Sequence, residues 1–192
     1  MQNQYKCIWC KGDDLYEKYH DTEWGVPVFD DQTLFEFLTL EIFQAGLSWI
    51  TVLRKRPKFR KAFDQFDYYK ILHYNSQKKT ELMNNSGIIR NRLKISATIQ
   101  NANAFIEIQS KQGSFSNYLW EFVNGTPKIN LFRNPGDIPS TSPLAFKLSK
   151  DLKRRGFKFV GPTIIYAFMQ ATGMVNDHLV DCFRYKEVLL KR

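Results

Sequence analysis

Two groups of residues carry chemistry on type and spacing alone. The first centres on Glu41, which falls in an apolar rhythm with Phe37 and Leu38 one turn before it. Gln44 follows on the same face, beside an Ala45-Gly46 break. A buried carboxylate without a partner is costly, so an acid on this face is paired or functional. Trp49 lies just downstream, and Trp9, Tyr16, Tyr19 and Trp24 crowd the N-terminal stretch. Aromatics around an acid make a box for a flat cationic or electron-poor ring, which stacks on them and satisfies the carboxylate. Taken singly, most of these residues are explained as well by core packing, with Glu41 paired to an arginine.

The second group is thiols and imidazoles. Cys7, Cys10 and His20 lie near the N-terminus, His178 and Cys182 near the C-terminus. His178 and Cys182 are four apart, so on a helix they would face the same way. A zinc ion with two nitrogen and two sulfur ligands is closed and therefore structural. Such an ion would staple together two terminal segments otherwise prone to fray. Cys7-x-x-Cys10 has knuckle spacing, so five candidates compete for four places, and spacing does not decide between Cys10 and His20. An odd number of cysteines in a reducing compartment does not suggest a disulfide framework.

The elements that must position these groups read as helices. Asp30 or Asp31 caps a run through Ile42, and Ser48 caps a second run through Leu53. Pro57 restarts the chain, and Asp67 and Ser76 cap two short helices. Ile88 to about Gln109 reads as one long helix and Ser114–Val123 as a short one. Residues 124–143, with four prolines, read as a connecting loop. Leu144–Arg155 and Pro162–Thr172 are helical patterns flanking the turn Gly156–Gly161. Alternating segments are few, so the expected class is all-α, and 192 residues suit a single domain spanning 1–192, built as two helical lobes.

Charge points to a partner. The chain carries 28 Lys and Arg against 19 Asp and Glu, a net +9, and is 15% aromatic. A compact basic protein attracts polyanions. Lys150, Lys153, Arg154, Arg155 and Lys158 surround the Gly156–Gly161 turn, where Pro162 opens the next helix. Glycines admit a close partner, and helix N-terminal amides donate to anions. This is the pattern of a helix-hairpin-helix element that grips a DNA backbone without reading sequence. Six basic residues in Arg54–Lys61, and Arg90, Arg92 and Lys94, are expected to add to the same field. Residues 1–6 lead into polar sequence without an apolar signal core, and no run is long enough to span a membrane, so a cytoplasmic location is expected.

Longer motifs narrow the reading. They are Tyr16-x-x-Tyr19-His-Asp-x-Glu-Trp-Gly-Val-Pro27, Leu40-Glu41-x-x-Gln44-Ala-Gly-Leu-Ser-Trp49-Ile-Thr-Val-Leu53, Gly87-Ile-Ile-Arg90 with Lys94-Ile, Arg155-Gly-Phe-Lys-Phe-Val-Gly161, and Val175-Asn-Asp-His178. Over roughly residues 7–185 the chain closely resembles the DNA-3-methyladenine glycosylase I family. The resemblance implies an all-α helix-hairpin-helix glycosylase fold acting on double-stranded alkylated DNA, as a monomer, in base excision repair.

The resemblance further implies one structural zinc per chain held by Cys7, His20, His178 and Cys182, with Cys10 a bystander. It implies a base pocket in which Glu41 is the catalytic group and Trp9, Tyr16 and Trp49 hold the base, with Tyr19 and Trp24 as lining. DNA contacts are expected from Lys153, Arg154, Arg155, Gly156, Lys158 and Gly161, with Leu47 as the residue wedged into the vacated stack. Ile42-Phe43 stands where relatives commonly carry small or polar residues, and is expected to alter how the first helix meets DNA.

Methylation at N3 makes adenine a cationic leaving group. The enzyme must then chiefly extrude the nucleotide and hold the base. A lyase would need an amine nucleophile at the start of the helix after the hairpin. Val160–Tyr166 contains no lysine, so a monofunctional enzyme is expected. Asp177 and Asp181 lie in the region where an activating base would stand, but they flank expected zinc ligands and are not assigned that role. The alternative is a zinc-stabilised, non-catalytic DNA-binding protein, which would not need Glu41 inside an aromatic box.

Overall fold

The computed structural model describes residues 5–190; the polar opening stretch read as lacking a signal sequence falls largely outside them. Ten α-helices occur among these residues. They are α1 (Asp14–Thr22), α2 (Asp31–Gln44), α3 (Trp49–Ala62), α4 (Tyr68–Ile71), α5 (Ser76–Asn84), α6 (Arg92–Gln112), α7 (Phe115–Glu121), α8 (Pro143–Arg154), α9 (Pro162–Ala171) and α10 (Phe183–Leu190). The protein is mostly helical. The extended structure is one parallel pair of two-residue strands, β1 (Lys128–Ile129) and β2 (Val175–Asn176), which ties the proline-rich connection to the segment after α9. No helix among the described residues is long and apolar enough to cross a membrane.

α2 is the central element. Every residue from Leu34 to Phe43 is buried, as expected of a helix surrounded by other helices rather than lying on a surface. It packs against α3, α6, α7 and α9. Ile42 and Phe43 belong to this core: Phe43 meets Phe59 and Phe63 at 4.9 and 5.8 Å between ring centroids. Neither side chain reaches the surface, so Ile42-Phe43 makes no direct contact with DNA and any effect there acts through the packing of α2.

Other boundaries also differ from the sequence reading. α3 runs through Pro57 instead of restarting there. A mid-helix proline costs roughly 3 kcal/mol, and burial of Leu53, Arg56 and Phe59 around it holds the helix together. The cap of α5 is Asn75, whose Oδ1 accepts from the Lys78 amide, and Ser76 is the first helical residue. α6 begins at Arg92 because Asn91 Oδ1 caps the Lys94 amide; Ile88 is buried in the preceding turn. α1 carries its own sequence signature: Asp13 accepts from the Tyr16 amide as the cap, and Asp14 and Glu17 lie in the first turn.

Candidate functional site

The N-terminal arm docks against the segment after α9 at two glycines with positive φ. A Cβ on Gly173 (φ +71°) would lie 2.5 Å from the Val26 and Pro27 backbone, and one on Gly25 (φ +78°) 2.9 Å from His178 Nε2. This close approach assembles a buried cluster of Cys7, His20, His178 and Cys182, whose ligand atoms all lie within 4.8 Å of one another. Cys182 Sγ is 3.4 Å from His20 Nε2 and 3.7 Å from His178 Nδ1, and Cys7 Sγ is 3.9 Å from His178 Nδ1.

The donor set suits a metal ion. A tetrahedral N₂S₂ zinc site has ligand–ligand edges of roughly 3.3–3.8 Å, from bonds of about 2.0–2.3 Å. The outer ring nitrogens are already engaged, His20 Nδ1 with Asp21 Oδ1 at 2.8 Å and His178 Nε2 with the Trp24 carbonyl at 3.0 Å. Each imidazole is thereby turned so that its other nitrogen faces the cluster. Burial pushes the His178 imidazole below its ordinary range, towards the neutral form that ligates. Cys10 is equally buried, but its thiol donates to the Cys7 carbonyl at 3.1 Å and takes no part in the cluster. His178 and Cys182 lie on the turn before α10 rather than on a helix, contrary to the spacing argument.

Beside this cluster opens a cavity of about 380 Å³ lined by Trp9, Tyr16, Tyr19, Trp24, Glu41 and Trp49, together with Gln44, Ala167 and Gln170. α1 supplies the tyrosines, the end of α2 supplies Glu41 and Gln44, and the first residue of α3 supplies Trp49. Trp9 meets Tyr16 at 4.9 Å and Trp24 at 5.1 Å, and Tyr19 meets Trp49 at 5.4 Å. The metal-type cluster braces this wall, since Trp24 packs on His178 at 4.6 Å and Trp9 on His20 at 5.3 Å.

Glu41 is 4% exposed. Among the described residues its carboxylate has no hydrogen-bond or ion-pair partner, and burial pushes its pKa up to about 8. Burial also raises the Tyr16 and Tyr19 phenols, so both keep their protons. The Trp49 indole N–H is buried and unpartnered. An unpaired acid and an unpaired N–H against aromatic faces form a site complementary to a flat, polar ligand.

Two of the lining groups lay beyond sequence reasoning. Pro135 and Ile138 come from the proline-rich connection, which reads as mere linker. Gln170 stands on α9 with Ala167, far in sequence from the aromatic residues and Glu41. Only the tertiary fold brings it there.

The turn after α2 is a type II turn: Ala45 has φ −49° and ψ 117°, Gly46 has φ +87°, and the Leu47 amide donates to the Gln44 carbonyl at 2.7 Å. Lys94 Nζ holds this turn from behind, donating to the carbonyls of Phe43 at 3.1 Å and Ala45 at 2.9 Å. Lys94 is therefore a buried cap rather than an outward-facing charge. Leu47 projects from the turn and is 43% exposed.

The turn between α8 and α9 is braced by α6. Asn101 accepts from the Lys158 amide at 2.8 Å and donates to its carbonyl at 3.1 Å, and Gln100 donates to the Gly156 carbonyl at 2.9 Å. Gly156 needs its φ of +95°, and no atom lies within 4 Å of a Cβ placed on Gly161.

Several basic residues expected to face a polyanion are engaged within the protein. Arg154 and Arg155 both pair with Asp151, leaving Lys150, Lys153 and Lys158 without ion pairs among the described residues. In the run 54–61, Arg54 pairs with Asp13, Arg56 with Glu23 and Glu36, and Arg60 with Glu36. Lys55 donates to the carbonyls of Ser86 and Gly87. That run chiefly joins α3 to its neighbours and adds less to an outward field than its density suggests.

Residues 9–185 match the family model described as methyladenine glycosylase. The chain is 47% identical over 180 residues to DNA-3-methyladenine glycosylase 1 of Escherichia coli (strain K12), covering 94% of this chain and 96% of that protein. It is similar to a crystal structure of 3-methyladenine DNA glycosylase I, with a TM-score of 0.91 and 49% identity, over 93% of this chain and 98% of the other. A variant of 3-methyladenine DNA glycosylase I in complex with 3-methyladenine aligns at TM-score 0.90 and 38% identity, over 93% and 96% of the two chains. The chain belongs to the methyladenine glycosylase family.

Proposed function

We propose that this protein is a monofunctional DNA-3-methyladenine glycosylase. It hydrolyses the N-glycosidic bond of 3-methyladenine in alkylated DNA and leaves an abasic site for base excision repair. The observation that carries the proposal is Glu41, a buried carboxylate with no partner among the described residues, facing an aromatic cavity of about 380 Å³ that is large enough to admit a purine.

The chemistry follows from the leaving group. A nucleotide methylated at N3 carries positive charge, so its glycosidic bond is already weak. The protein supplies extrusion, orientation and charge stabilisation. Flipping the nucleotide costs a few kcal/mol. Leu47, at the tip of the type II turn, is the wedge that fills the vacated stack. Trp9, Tyr16 and Trp49 hold the base, with Tyr19 and Trp24 behind them.

Before a base binds, burial holds the Glu41 pKa at about 8 and keeps the acid mostly protonated at neutral pH. A cationic base favours the carboxylate, and the proton leaves through the open mouth to solvent. Glu41 then accepts an N–H from the base and holds it in the cavity while the glycosidic electron pair leaves with the base as neutral 3-methyladenine; water attacks the sugar carbon and gives up its proton to solvent. Asp177 does not activate that water. Its two oxygens already accept from Asn130 Nδ2, Tyr166 Oη and Gln170 Nε2 at 2.7–2.8 Å.

The turn between α8 and α9 acts as a helix-hairpin-helix grip on the backbone of duplex DNA. Gly156, Gly161 and the cations Lys153 and Lys158 face phosphate there, while Arg154 and Arg155 share their charge with Asp151. Cys7, His20, His178 and Cys182 would hold one structural zinc, which supplies a closed cross-link between the two ends of the chain and no catalytic chemistry. The protein acts as a single domain and as a monomer.

Incubation with methylated duplex, followed by detection of released base, tests the proposal. Wild-type protein releases 3-methyladenine. Tight duplex binding with no base release would identify a non-catalytic DNA-binding protein instead. Elemental analysis finding about one zinc per chain tests the metal assignment.

A further inference from the structure

Gln170 lines the cavity from the last turn of α9 and is tied to a carboxylate outside it. Its Nε2 donates to Asp177 Oδ2 at 2.8 Å. Asp177 is 1% exposed, and also accepts from Tyr166 Oη at 2.7 Å on the same oxygen and from Asn130 Nδ2 at 2.7 Å on the other. The reverse orientation of the amide would set its carbonyl against a carboxylate, acceptor against acceptor. With one N–H of the NH₂ donated to Asp177, the orientation of the amide is fixed and its Oε1 is left to accept from a ligand. No described residue donates to it.

The cavity therefore offers two acceptors, the Glu41 carboxylate and the Gln170 carbonyl. In a 3-methyladenine nucleotide the sugar occupies N9 and the methyl group N3, so the only N–H donors on the base are the two of the 6-amino group. We propose that Gln170, oriented by Asp177, accepts a hydrogen bond from the 6-amino group of the bound base and selects purines that carry this amine. Asp177 is thereby a positioning residue, acting through Gln170 without touching the base. The inference rests on the proposed function and adds a residue that reads the purine 6-position.

The test is a chemical double-mutant cycle with free 3-methyladenine and 3-methylpurine, which lacks the 6-amino group, titrated into wild-type protein and Gln170→Met. Methionine keeps the length of the side chain and removes both polar ends, and Asp177 retains two donors, so the fold is preserved. Gln170→Met should lose roughly three- to tenfold in affinity for 3-methyladenine and almost nothing for 3-methylpurine. A merely structural role for Gln170 would lower both affinities alike. An equal loss, or none, overturns the inference and leaves the proposed function standing. Wild-type protein that bound neither base would overturn the proposed function and this inference with it. A second measurement needs no variant: the side-chain amide resonances of Gln170 in wild-type protein should move on adding 3-methyladenine, and much less with 3-methylpurine. Equal movement with both bases would also overturn the assignment.

Discussion

Glu36 and Glu41 lie on the same helix, five residues apart, and are 7% and 4% exposed. Five residues turn about 140° around a helix axis, and that rotation separates two environments. Glu36 meets α3, where Arg56 Nε donates at 2.5 Å and Arg60 Nε at 3.0 Å to its carboxylate, and Arg56 also holds Glu23. Glu41 meets the aromatic cavity and has no partner among the described residues. The same side chain, equally buried, is a structural tie on one side of α2 and an unsatisfied acid on the other. Desolvation is offset within the protein at Glu36. At Glu41 it is left for a ligand to offset, so its cost is conformational stability.

The largest effect that tests this contrast comes from Glu36. Glu36→Gln leaves the Arg56 guanidinium 6% exposed with only Glu23 to balance it. Removing one partner of a buried pair costs about 3–5 kcal/mol. The remaining Glu23 puts the loss near 3 kcal/mol, or roughly 6–12 °C in melting temperature for a chain of this length. Affinity for 3-methyladenine should be unchanged. A loss of stability below about 1 kcal/mol would mean that the ion pairs do not offset the burial, and the contrast would fail from the structural side.

Glu41 should show the opposite sign. Its folded-state pKa of about 8 lies above the unfolded value, so the folded protein binds the extra proton. The stability this confers is full below the unfolded pKa near 4.5 and is lost as pH rises through about 8. The loss between pH 5 and pH 9 is on the order of 2–4 kcal/mol, less if water enters the cavity. Glu41→Gln removes the ionisable group, so the variant should be more stable than wild type at pH 9 and nearly equal to it at pH 5. Urea unfolding of both proteins at the two pH values measures this. Parallel pH profiles would show that Glu41 is not held away from water.

The sequence shows one member of this pair and conceals the other. Glu41 sits in an apolar rhythm beside an Ala-Gly break, and its oddness is legible from periodicity. Glu36 carries no such mark, because its partners Arg56 and Arg60 come from a run that reads as a solvated basic face. Other helices are also legible: Asp67 caps where expected, Asp30 is one of the two candidate caps of α2, and the short helix expected from Ser114 begins one residue later, with Ser114 as its cap. The start of α6 is not, because Ile88 is apolar and in phase yet is buried by a turn rather than a helix. The metal-type cluster shows the same limit. Spacing leaves Cys10 and His20 as rivals, whereas in the fold His20 lies in the cluster and the Cys10 thiol turns to the Cys7 carbonyl. Gln170 enters the cavity through the packing of α9 on α2, which no local pattern encodes.

The smallest of the three effects bears most directly on function. Glu41→Gln preserves the shape of the side chain, removes its charge, and replaces one acceptor oxygen with an NH₂. That NH₂ would face the amine of a bound base, donor against donor, unless the amide turns its carbonyl inward. In either orientation the charge-assisted bond is gone. A hydrogen bond to a charged group contributes about 1.5–3 kcal/mol, so affinity for free 3-methyladenine should fall roughly ten- to more than a hundredfold. Excision should slow by less, because a cationic leaving group departs readily once it is out of the stack. The variant is the better-folded protein at high pH, so weaker binding there could not be blamed on unfolding. Titrating free base into both proteins at pH 9, where wild-type Glu41 is ionised before the base arrives, isolates the bond itself. Equal affinities would place Glu41 beside Glu36 as a structural residue and leave recognition to the aromatic faces alone.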